Sequence, residues 1–237
     1  MQLSNFFLDF LFPPTCLSCG KFAEVLCSKC LAQIHEQEQL ICPFCLQTSL
    51  YGQKHSKCKG NLDGLVAIWS YKGVIQKVIK SVKYRYYWAF FDKIIQLYLL
   101  YLQKPKYQRL QKYLEQKPIV IPVPLHKFKQ KQRGFNQAEI IGKTLAKYYD
   151  LPFSKQILIR IVNTKPQSEL SKKERAVNIK NAFFASGKVL QISSKPLKDK
   201  QILLVDDVWT TGSTMQTCAR ILKKLGASKI WALTLAR

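Results

Sequence analysis

The sequence predicts an α/β fold, in which a mainly parallel sheet flanked by helices follows a small cysteine-rich domain. Strand-like and helical patterns alternate from Asp63 onward, which is typical of a doubly wound sheet. Before that point cysteines dominate, since seven of the eight lie within the first 58 residues. A chain of 237 residues is long enough for one substantial core and a small appendage. We therefore expect two domains, comprising residues 1–62 and 63–237.

The elements of the larger domain follow from the spacing of its apolar residues. Branched apolar runs predict strands at 65–71, 119–121, 157–161, 182–184, 202–205 and 230–235. Helical spacing predicts helices at 74–82, at 88–102, at 172–178 and between the last two strands, where Gly226 suits a helix C-terminus. The residues from Arg133 to Gln137 are expected to open a further helix that runs to about Tyr149, and a charged connector is expected around Lys104 and Arg109.

The cysteines of the smaller domain are spaced as metal ligands. Six of them form Cys-x-x-Cys pairs, and a fourth pair has a histidine where a cysteine would complete the pattern; the pairs are Cys16/Cys19, Cys27/Cys30, Cys42/Cys45 and His55/Cys58. A two-residue gap lets both side chains of a knuckle reach one ion, and four knuckles supply enough ligands for two tetrahedral zinc sites. Disulfides are the alternative, but nothing in the sequence signals export. All four positions would be filled, so we expect structural zinc.

The pairing of the four knuckles stays open at this point. Sequential pairing gives one all-cysteine site and one site with a histidine, whereas a cross-brace would join the first knuckle to the third. Short gaps between the knuckles favour sequential pairing: seven residues separate Cys19 from Cys27, and nine separate Cys45 from His55. His55 could instead be a solvated loop residue. The remaining cysteine, Cys218, is expected to be a core residue of a helix.

A second motif follows the apolar strand at 202–205. Two adjacent carboxylates, Asp206 and Asp207, come at its C-terminal end, where open α/β sheets hold their ligands. The next residues place hydroxyls and backbone N–H groups at the start of a helix, an arrangement that suits an anion such as phosphate; they are Thr210, Thr211, Gly212, Ser213 and Thr214. The alternative is an ordinary loop before a helix capped by threonine.

A sugar phosphate with free hydroxyls would satisfy both halves of this motif. The carboxylates would accept hydrogen bonds from ribose hydroxyls, directly or through Mg²⁺, while the loop would take the phosphate. The string from residue 202 to residue 214 resembles the signature with which type I phosphoribosyltransferases bind phosphoribosyl pyrophosphate (PRPP). In such proteins a second loop takes the pyrophosphate, and its counterpart here follows the strand at 119–121.

Two basic residues are candidates for the pyrophosphate. Arg133 ends a run of lysines after the strand at 119–121, and a guanidinium matches phosphate oxygens at two points. The alternative for Arg133 is a surface arginine beside a helix cap. The polar segment at 164–178 is long enough to fold over a site as a lid, and Arg175 could then reach the pyrophosphate.

The composition favours a polyanionic partner. Thirty-eight basic and 14 acidic residues give a net charge of +24. Aromatic residues stand among the basic ones at 83–88 and 127–129, where bases could stack. Lysine-rich composition can also arise from AT-rich coding alone, so the charge by itself leaves nucleic-acid binding open. No run of eighteen apolar residues is present, and we therefore expect no membrane span.

Together these features resemble the ComF family, the amidophosphoribosyltransferase-like competence proteins. The matching parts are the Cys-x-x-Cys pairs and the segments 133–137, 164–178 and 205–214, so the resemblance covers essentially the whole chain. Lys83 also stands where such proteins carry a lysine. Two residues depart from the pattern: Trp209 is bulky for a PRPP loop, and His55 replaces a cysteine. The resemblance implies a type I phosphoribosyltransferase-like fold preceded by a zinc-knuckle domain.

The resemblance also implies function. It indicates a cytoplasmic role in natural transformation, in which the protein acts on incoming single-stranded DNA, and at the level of the family it implies a competence helicase as a partner. It implies that PRPP is bound with Mg²⁺ by Lys83, Arg133, Arg175, Asp206, Asp207 and the loop residues 210–214. In an active enzyme, Asp206, Asp207 and Arg133 would be catalytic, because they would support the ribose and the departing pyrophosphate.

Three functions stay open on the sequence. The first is a DNA-uptake protein that binds PRPP, the second a phosphoribosyltransferase with an unidentified acceptor, and the third a regulator that senses PRPP. No acceptor pocket is evident, and no segment after the strand at 230–235 is expected to select a base. The sequence therefore predicts a ligand more firmly than a reaction.

Overall fold

The computed structural model describes residues 15–22, 24–84, 88–161, 182–187 and 195–237, and the side chains of residues 83–92 fall outside this description. The strands in these ranges are β1 (Gly64–Trp69), β2 (Ile119–Pro122), β3 (Leu158–Arg160), β4 (Phe183–Ala185), β5 (Gln201–Val208) and β6 (Lys229–Ala236). Four of them form a sheet in the order β1-β6-β5-β2, and all neighbours in it are parallel. The predicted mainly parallel sheet is therefore confirmed.

The helices in these ranges are α1 (Ser28–Leu31), α2 (Gly73–Tyr84), α3 (Trp88–Leu102), α4 (Gln108–Leu114), α5 (Lys127–Arg133), α6 (Gln137–Tyr148) and α7 (Ser213–Lys224). The helix predicted at 88–102 has the observed bounds. The predicted connector around Arg109 is instead helical, because Tyr107, Leu110 and Tyr113 recur at helical spacing and are all buried. The helix predicted at 172–178 lies outside the described residues.

The sheet is buried on both of its faces, as the apolar strands predict. Along β5, Leu203 and Val205 belong to the apolar cluster that includes residues of α2, α3 and α6. Ile202 and Leu204 belong to the second cluster, on the side of α7. Successive strand residues point to opposite faces, so a strand with helices on both sides is apolar at every position.

The strands β3 and β4 stand apart from this sheet. They pair with each other in an antiparallel arrangement, with Ile159 opposite Phe184. The sequence predicts both strands but not their partner. Their side chains alternate between buried and exposed, as with Leu158 and Ile159, which suits a pair with one solvated face.

The cysteine-rich segment adds to the edge of the sheet. Glu36 forms an antiparallel bridge to Trp69 at the end of β1, and Gln53 forms one to Gly64 at its start. Gly64 lies flat against the indole of Trp231, where an added Cβ atom would overlap the ring. Leu26, Ile34 and Leu40 of the segment belong to the same apolar cluster as residues of α2 and α3. Within the described residues, no helix has the length and apolarity needed to cross a membrane.

Candidate functional site

The two carboxylates lie at the C-terminal end of β5, in the middle of the sheet. Asp206 and Asp207 are half-buried, while the four residues before them are fully buried. Oδ1 of Asp206 accepts a hydrogen bond from the backbone N–H of Asp207 at 2.9 Å, which orients the first carboxylate. Backbone pairing holds the strand end on both sides, because Val123 N–H donates to Val205 and Trp209 N–H donates to Ala236. The carboxylates are thus held on a rigid support at the edge where open sheets bind ligands.

The loop after β5 is shaped by Gly212. This residue precedes α7 in a left-handed conformation with φ of 76°, which favours glycine. An added Cβ atom would also overlap the ring of Trp209. That ring is only 2% exposed, so the bulky residue is turned into the core beneath the loop and does not fill the space above it. Trp209 therefore requires a glycine at position 212.

The hydroxyls of the loop gather at the start of α7. Oγ1 of Thr211 lies 3.0 Å from Oγ of Ser213, and it accepts from the backbone N–H of Ser213 at 3.4 Å. Thr210 and Thr211 are exposed and Thr214 is half-buried. The first N–H groups of a helix have no partner within the helix and carry its positive dipole end, so this arrangement can bind an anion.

The neighbouring strand β2 leads into a basic helix. His126 caps α5, because its Nδ1 atom accepts from the backbone N–H of Phe128 at 3.2 Å. Gly134 ends the helix in a left-handed conformation. Arg133 is therefore the last residue of α5, so the string at 133–137, predicted to open the next helix, spans the end of α5 as well as the start of that helix. That helix, α6, begins after Asn136, whose side chain accepts from Ala138 N–H.

Arg160, at the end of β3, is a further basic residue of the site. Burial lowers the pKa of its guanidinium, the carboxylate of Asp206 raises it, and Arg133 lowers it. Burial also lowers the pKa of Lys129, and Arg160 and Arg133 lower it further. Arg160 therefore interacts with Asp206 and with Arg133, and Lys129 interacts with both arginines. Lys129, Arg133 and Arg160, hereafter the basic cluster, form a positive group that reaches Asp206 through Arg160. Such a cluster attracts anions.

The sequence did not predict Arg160 as a site residue, and no local motif marks it. Its strand is short, and it reaches the site only through the fold. The predicted residues Asp206, Asp207 and 210–214 lie at the C-terminal end of β5, and Arg133 lies near enough to Arg160 to lower its pKa. Lys83 lies in the last turn of α2 with its side chain outside the described part, and Arg175 lies outside the described residues.

The cysteine-rich segment forms two clusters of metal-binding side chains. Their members are Cys16, Cys19, Cys27 and Cys30 in the first, and Cys42, Cys45, His55 and Cys58 in the second. Within each cluster the ligand atoms lie within 4.8 Å of one another. The arrangement is sequential, as the short gaps favour, and not a cross-brace. Four thiol or imidazole ligands suit tetrahedral zinc, and a complete set leaves no position for a substrate.

The knuckles Cys16/Cys19 and Cys42/Cys45 have the same pattern of backbone hydrogen bonds. Cys16 N–H donates to Lys21 and Cys42 N–H donates to Gln47, and each closes a short hairpin turn. Burial raises the pKa of the Cys16 thiol, but hydrogen bonds from the backbone N–H groups of Cys27, Cys19 and Ser18 outweigh it and lower the pKa to about 6. In the same way the pKa of Cys42 falls to about 7. The turns therefore favour the thiolate form at Cys16 and Cys42, which is the form that binds metal. Burial and the neighbouring thiols instead raise the pKa of Cys30 to about 12 and that of Cys58 to about 11.

His55 is oriented as a ligand. Its Nδ1 atom lies 3.3 Å from Sγ of Cys45, and its Nε2 atom lies 3.2 Å from the carbonyl oxygen of Thr48. If Nε2 donates to that carbonyl, Nδ1 is left with its lone pair toward the thiols, as in most histidine ligands of metals. Cys218 lies on α7 and is fully buried in the second apolar cluster, as predicted.

Known proteins resemble the chain in both parts. Residues 7–59 match the double zinc ribbon domain, and residues 137–237 match the phosphoribosyl transferase domain. Competence protein F of Haemophilus influenzae is 33% identical over 220 residues, which cover 90% of each chain. Competence protein ComFC of Bacillus subtilis is 34% identical over 120 residues, covering 50% of this chain and 44% of the relative.

A further relative is named for DNA utilization and not for competence. DNA utilization protein YhgH of Escherichia coli is 32% identical over 116 residues, which cover 48% of each chain. The similarity to competence protein F extends over both the zinc ribbons and the phosphoribosyltransferase-type domain, so it does not rest on one motif. On this similarity, together with the sheet, the clustered cysteines and the acidic strand end, the chain belongs to the ComF family of competence proteins.

Proposed function

We propose that the chain is a PRPP-binding protein of DNA uptake that acts on single-stranded DNA. The observation that supports it best is the end of β5, where Asp206 and Asp207 precede the Gly212 loop and the N-terminus of α7. A carboxylate pair and an anion-binding loop side by side suit a ligand that carries both hydroxyls and a phosphate. We place this role in the cytoplasm, with a competence helicase as the partner that the family resemblance implies.

Each group of the site then has a part of PRPP to bind. The loop residues 210–214 would take the 5′-phosphate, and Asp206 and Asp207 would take the ribose hydroxyls. The basic cluster would take the pyrophosphate, which carries most of the negative charge. Carboxylate oxygens are also ligands that Mg²⁺ prefers, and bound Mg²⁺ would neutralise charge on the pyrophosphate. If the site is catalytic, the same cluster would support the departing pyrophosphate.

Binding is tested by thermal unfolding of the purified protein with Mg²⁺ and PRPP. At about 100 times its Kd, PRPP should add about 2.7 kcal/mol to the free energy of unfolding. For a chain of this length, that corresponds to a rise in Tm of roughly 5–10 °C. Ribose 5-phosphate, which lacks the pyrophosphate, should give a smaller rise. Equal Tm values with and without PRPP would refute the proposal.

A measurement of pyrophosphate release distinguishes binding or sensing of PRPP from phosphoribosyl transfer. Stabilisation by PRPP without release, across a panel of nucleobase acceptors and with or without single-stranded DNA, favours binding or sensing over catalysis. Release that depends on one acceptor would favour the phosphoribosyltransferase. Release that depends on single-stranded DNA would link the two ligands.

The helix α5 supports the DNA part of the proposal. It has no buried residue, and Phe128, which is 60% exposed, stands between Lys127 and Lys129. An exposed aromatic ring among basic side chains can stack on a base while the lysines contact phosphates. The net charge of +24 would draw a polyanion toward this face.

Removing two lysines of α5 should weaken the salt dependence of DNA binding. For Lys127→Ala combined with Lys131→Ala, the slope of log K against log salt for single-stranded DNA should fall by about 1.4. Phe128→Ala should cost about 1–3 kcal/mol of affinity without changing that slope. The matched control is Lys198→Ala with Lys200→Ala, at the opposite end of the sheet. Equal slopes for the two double variants, measured by fluorescence anisotropy, would place the DNA elsewhere.

A further inference from the structure

We propose that Gln216 is a positioning residue that ties the phosphate loop to the second ribbon, defined as residues 41–58. Binding at the loop and the rigidity of the second ribbon would then be linked. The inference rests on the proposed function, because the probe of the loop is PRPP.

Gln216 donates hydrogen bonds from both its backbone and its side chain. It lies in the first turn of α7, and its backbone N–H donates to the carbonyl of Gly212 at 2.9 Å. Its side-chain Nε2 atom donates to the carbonyl of Pro43 at 2.7 Å, across 173 positions of sequence. Pro43 directly follows the ligand Cys42, whose carbonyl accepts from Leu46 N–H within the knuckle. Gln216 therefore contacts a metal-binding turn through its side chain and the residue that shapes the phosphate loop through its backbone.

Packing reinforces this link. Ile41, which precedes the knuckle, belongs to the same apolar cluster as Trp209 and Met215. Trp209 supports Gly212 from below, and Met215 precedes Gln216 on α7. The ribbon and the loop thus share a buried base as well as a hydrogen bond. Close-packed groups of this kind transmit small displacements.

The opposite end of α7 is also held near the ribbon. Oδ2 of Asp63 accepts from Lys223 Nζ at 3.1 Å and from the backbone N–H of Ile230 at 2.9 Å. Lys54 of the second ribbon contacts Oδ1 of Asp63 at 3.4 Å. The second ribbon is therefore linked to both ends of α7, directly at Gln216 and through Asp63 at Lys223, and the contact at Gln216 is the one nearer the phosphate loop.

The first ribbon, around residues 16–30, has different neighbours and serves as an internal reference. Its carbonyl at Ser18 accepts from Lys77 of α2 at 3.0 Å, and its buried cysteines belong to the other apolar cluster. A ligand at the phosphate loop should leave this ribbon unchanged. Thermodynamic linkage is reciprocal, so a ligand that orders the loop must steady whatever holds the loop in place.

The test is hydrogen–deuterium exchange of the zinc-loaded protein with and without PRPP and Mg²⁺. PRPP should slow exchange in residues 41–48 by roughly fivefold, the lower end of ordinary coupling between sites. Residues 16–30 should exchange at the same rate in both states. The isosteric change Gln216→Glu removes the donor, so it should abolish the slowing in residues 41–48 and weaken PRPP binding by roughly fivefold. Gln216→Ala should behave in the same way.

The control variant is Gln103→Glu, which removes a single amide hydrogen bond to Tyr148 far from the loop. It should leave both the exchange rates and PRPP binding unchanged. Unchanged exchange in residues 41–48 while PRPP raises the Tm would overturn the inference and leave the proposed function intact. Equal slowing in the wild type and in Gln216→Glu would overturn the role of this residue. A protein that does not bind PRPP at all would overturn both, and the Tm measurement identifies that case.

Discussion

Replacing Asp206 and Asp207 together by alanine should abolish the rise in Tm that PRPP produces, and the zinc content should stay unchanged. The two carboxylates are the acceptors for the ribose hydroxyls and for Mg²⁺ in the proposed site. Their loss leaves the ligand without these partners, while the ribbons keep all their ligands. Thermal unfolding with PRPP and metal analysis of the same preparation give the two measurements.

The expected loss of PRPP binding is informative because the double substitution removes two negative charges. Removing two negative groups makes the surroundings of the basic cluster more positive, which alone would strengthen the binding of an anion. A loss of binding must therefore come from lost contacts. The control is Glu38→Ala with Glu115→Ala, which changes the net charge equally at two exposed positions away from the site. A PRPP response that persists in the aspartate variant would falsify the assignment of the site.

Removing zinc should lower the Tm by at least about 15 °C. Cys16, Cys27 and Cys30 are buried within the cluster that includes α2 and α3, so loss of their metal opens the main core. Structural zinc sites contribute on the order of 10 kcal/mol at neutral pH, comparable to the whole stability of a typical protein. Circular dichroism during heating, with a chelator and after zinc is restored, measures the change.

The metal content provides the matched comparison for this prediction. We expect two zinc ions per chain, one for each cluster of ligands. Cys27→Ala should lose one of them, whereas Cys218→Ala, a cysteine outside both clusters, should keep both. A Tm that is unchanged after zinc has been removed would show that the ribbons do not depend on metal.

Local patterns predicted the parts of the fold that local chemistry determines. The strand at 202–205 is apolar over its whole length and the helix at 88–102 is rich in apolar residues, and both formed where the spacing placed them. The carboxylates Asp206 and Asp207 follow a buried strand, so their position at the sheet edge could be derived from sequence. The metal ligands could be derived as well, because a two-residue gap is itself a geometric constraint.

The missed features depend on caps or on distant residues. The helix α5 buries no side chain, so no apolar period marks it, and His126 and Gly134 define its ends instead. Arg160 reaches Asp206 only through the folded chain, and the contact of Gln216 with Pro43 spans 173 positions. A single sequence has no signal for such pairs. The antiparallel pairing of β3 with β4 was missed for the same reason.

The pairing of β1 with β6 has a consequence for how the protein is made. Asp63, just before β1, bonds to Ile230, and 167 positions separate the two. A ribosome that adds about 5–20 residues per second would need roughly 10–30 s to supply that partner. During this interval β1 is an apolar strand without its neighbour, a state prone to aggregation. The second ribbon is complete by residue 58, and its bridge at Gln53, with that of Glu36, already covers part of β1. We therefore expect cellular zinc supply to govern the yield of soluble protein during synthesis.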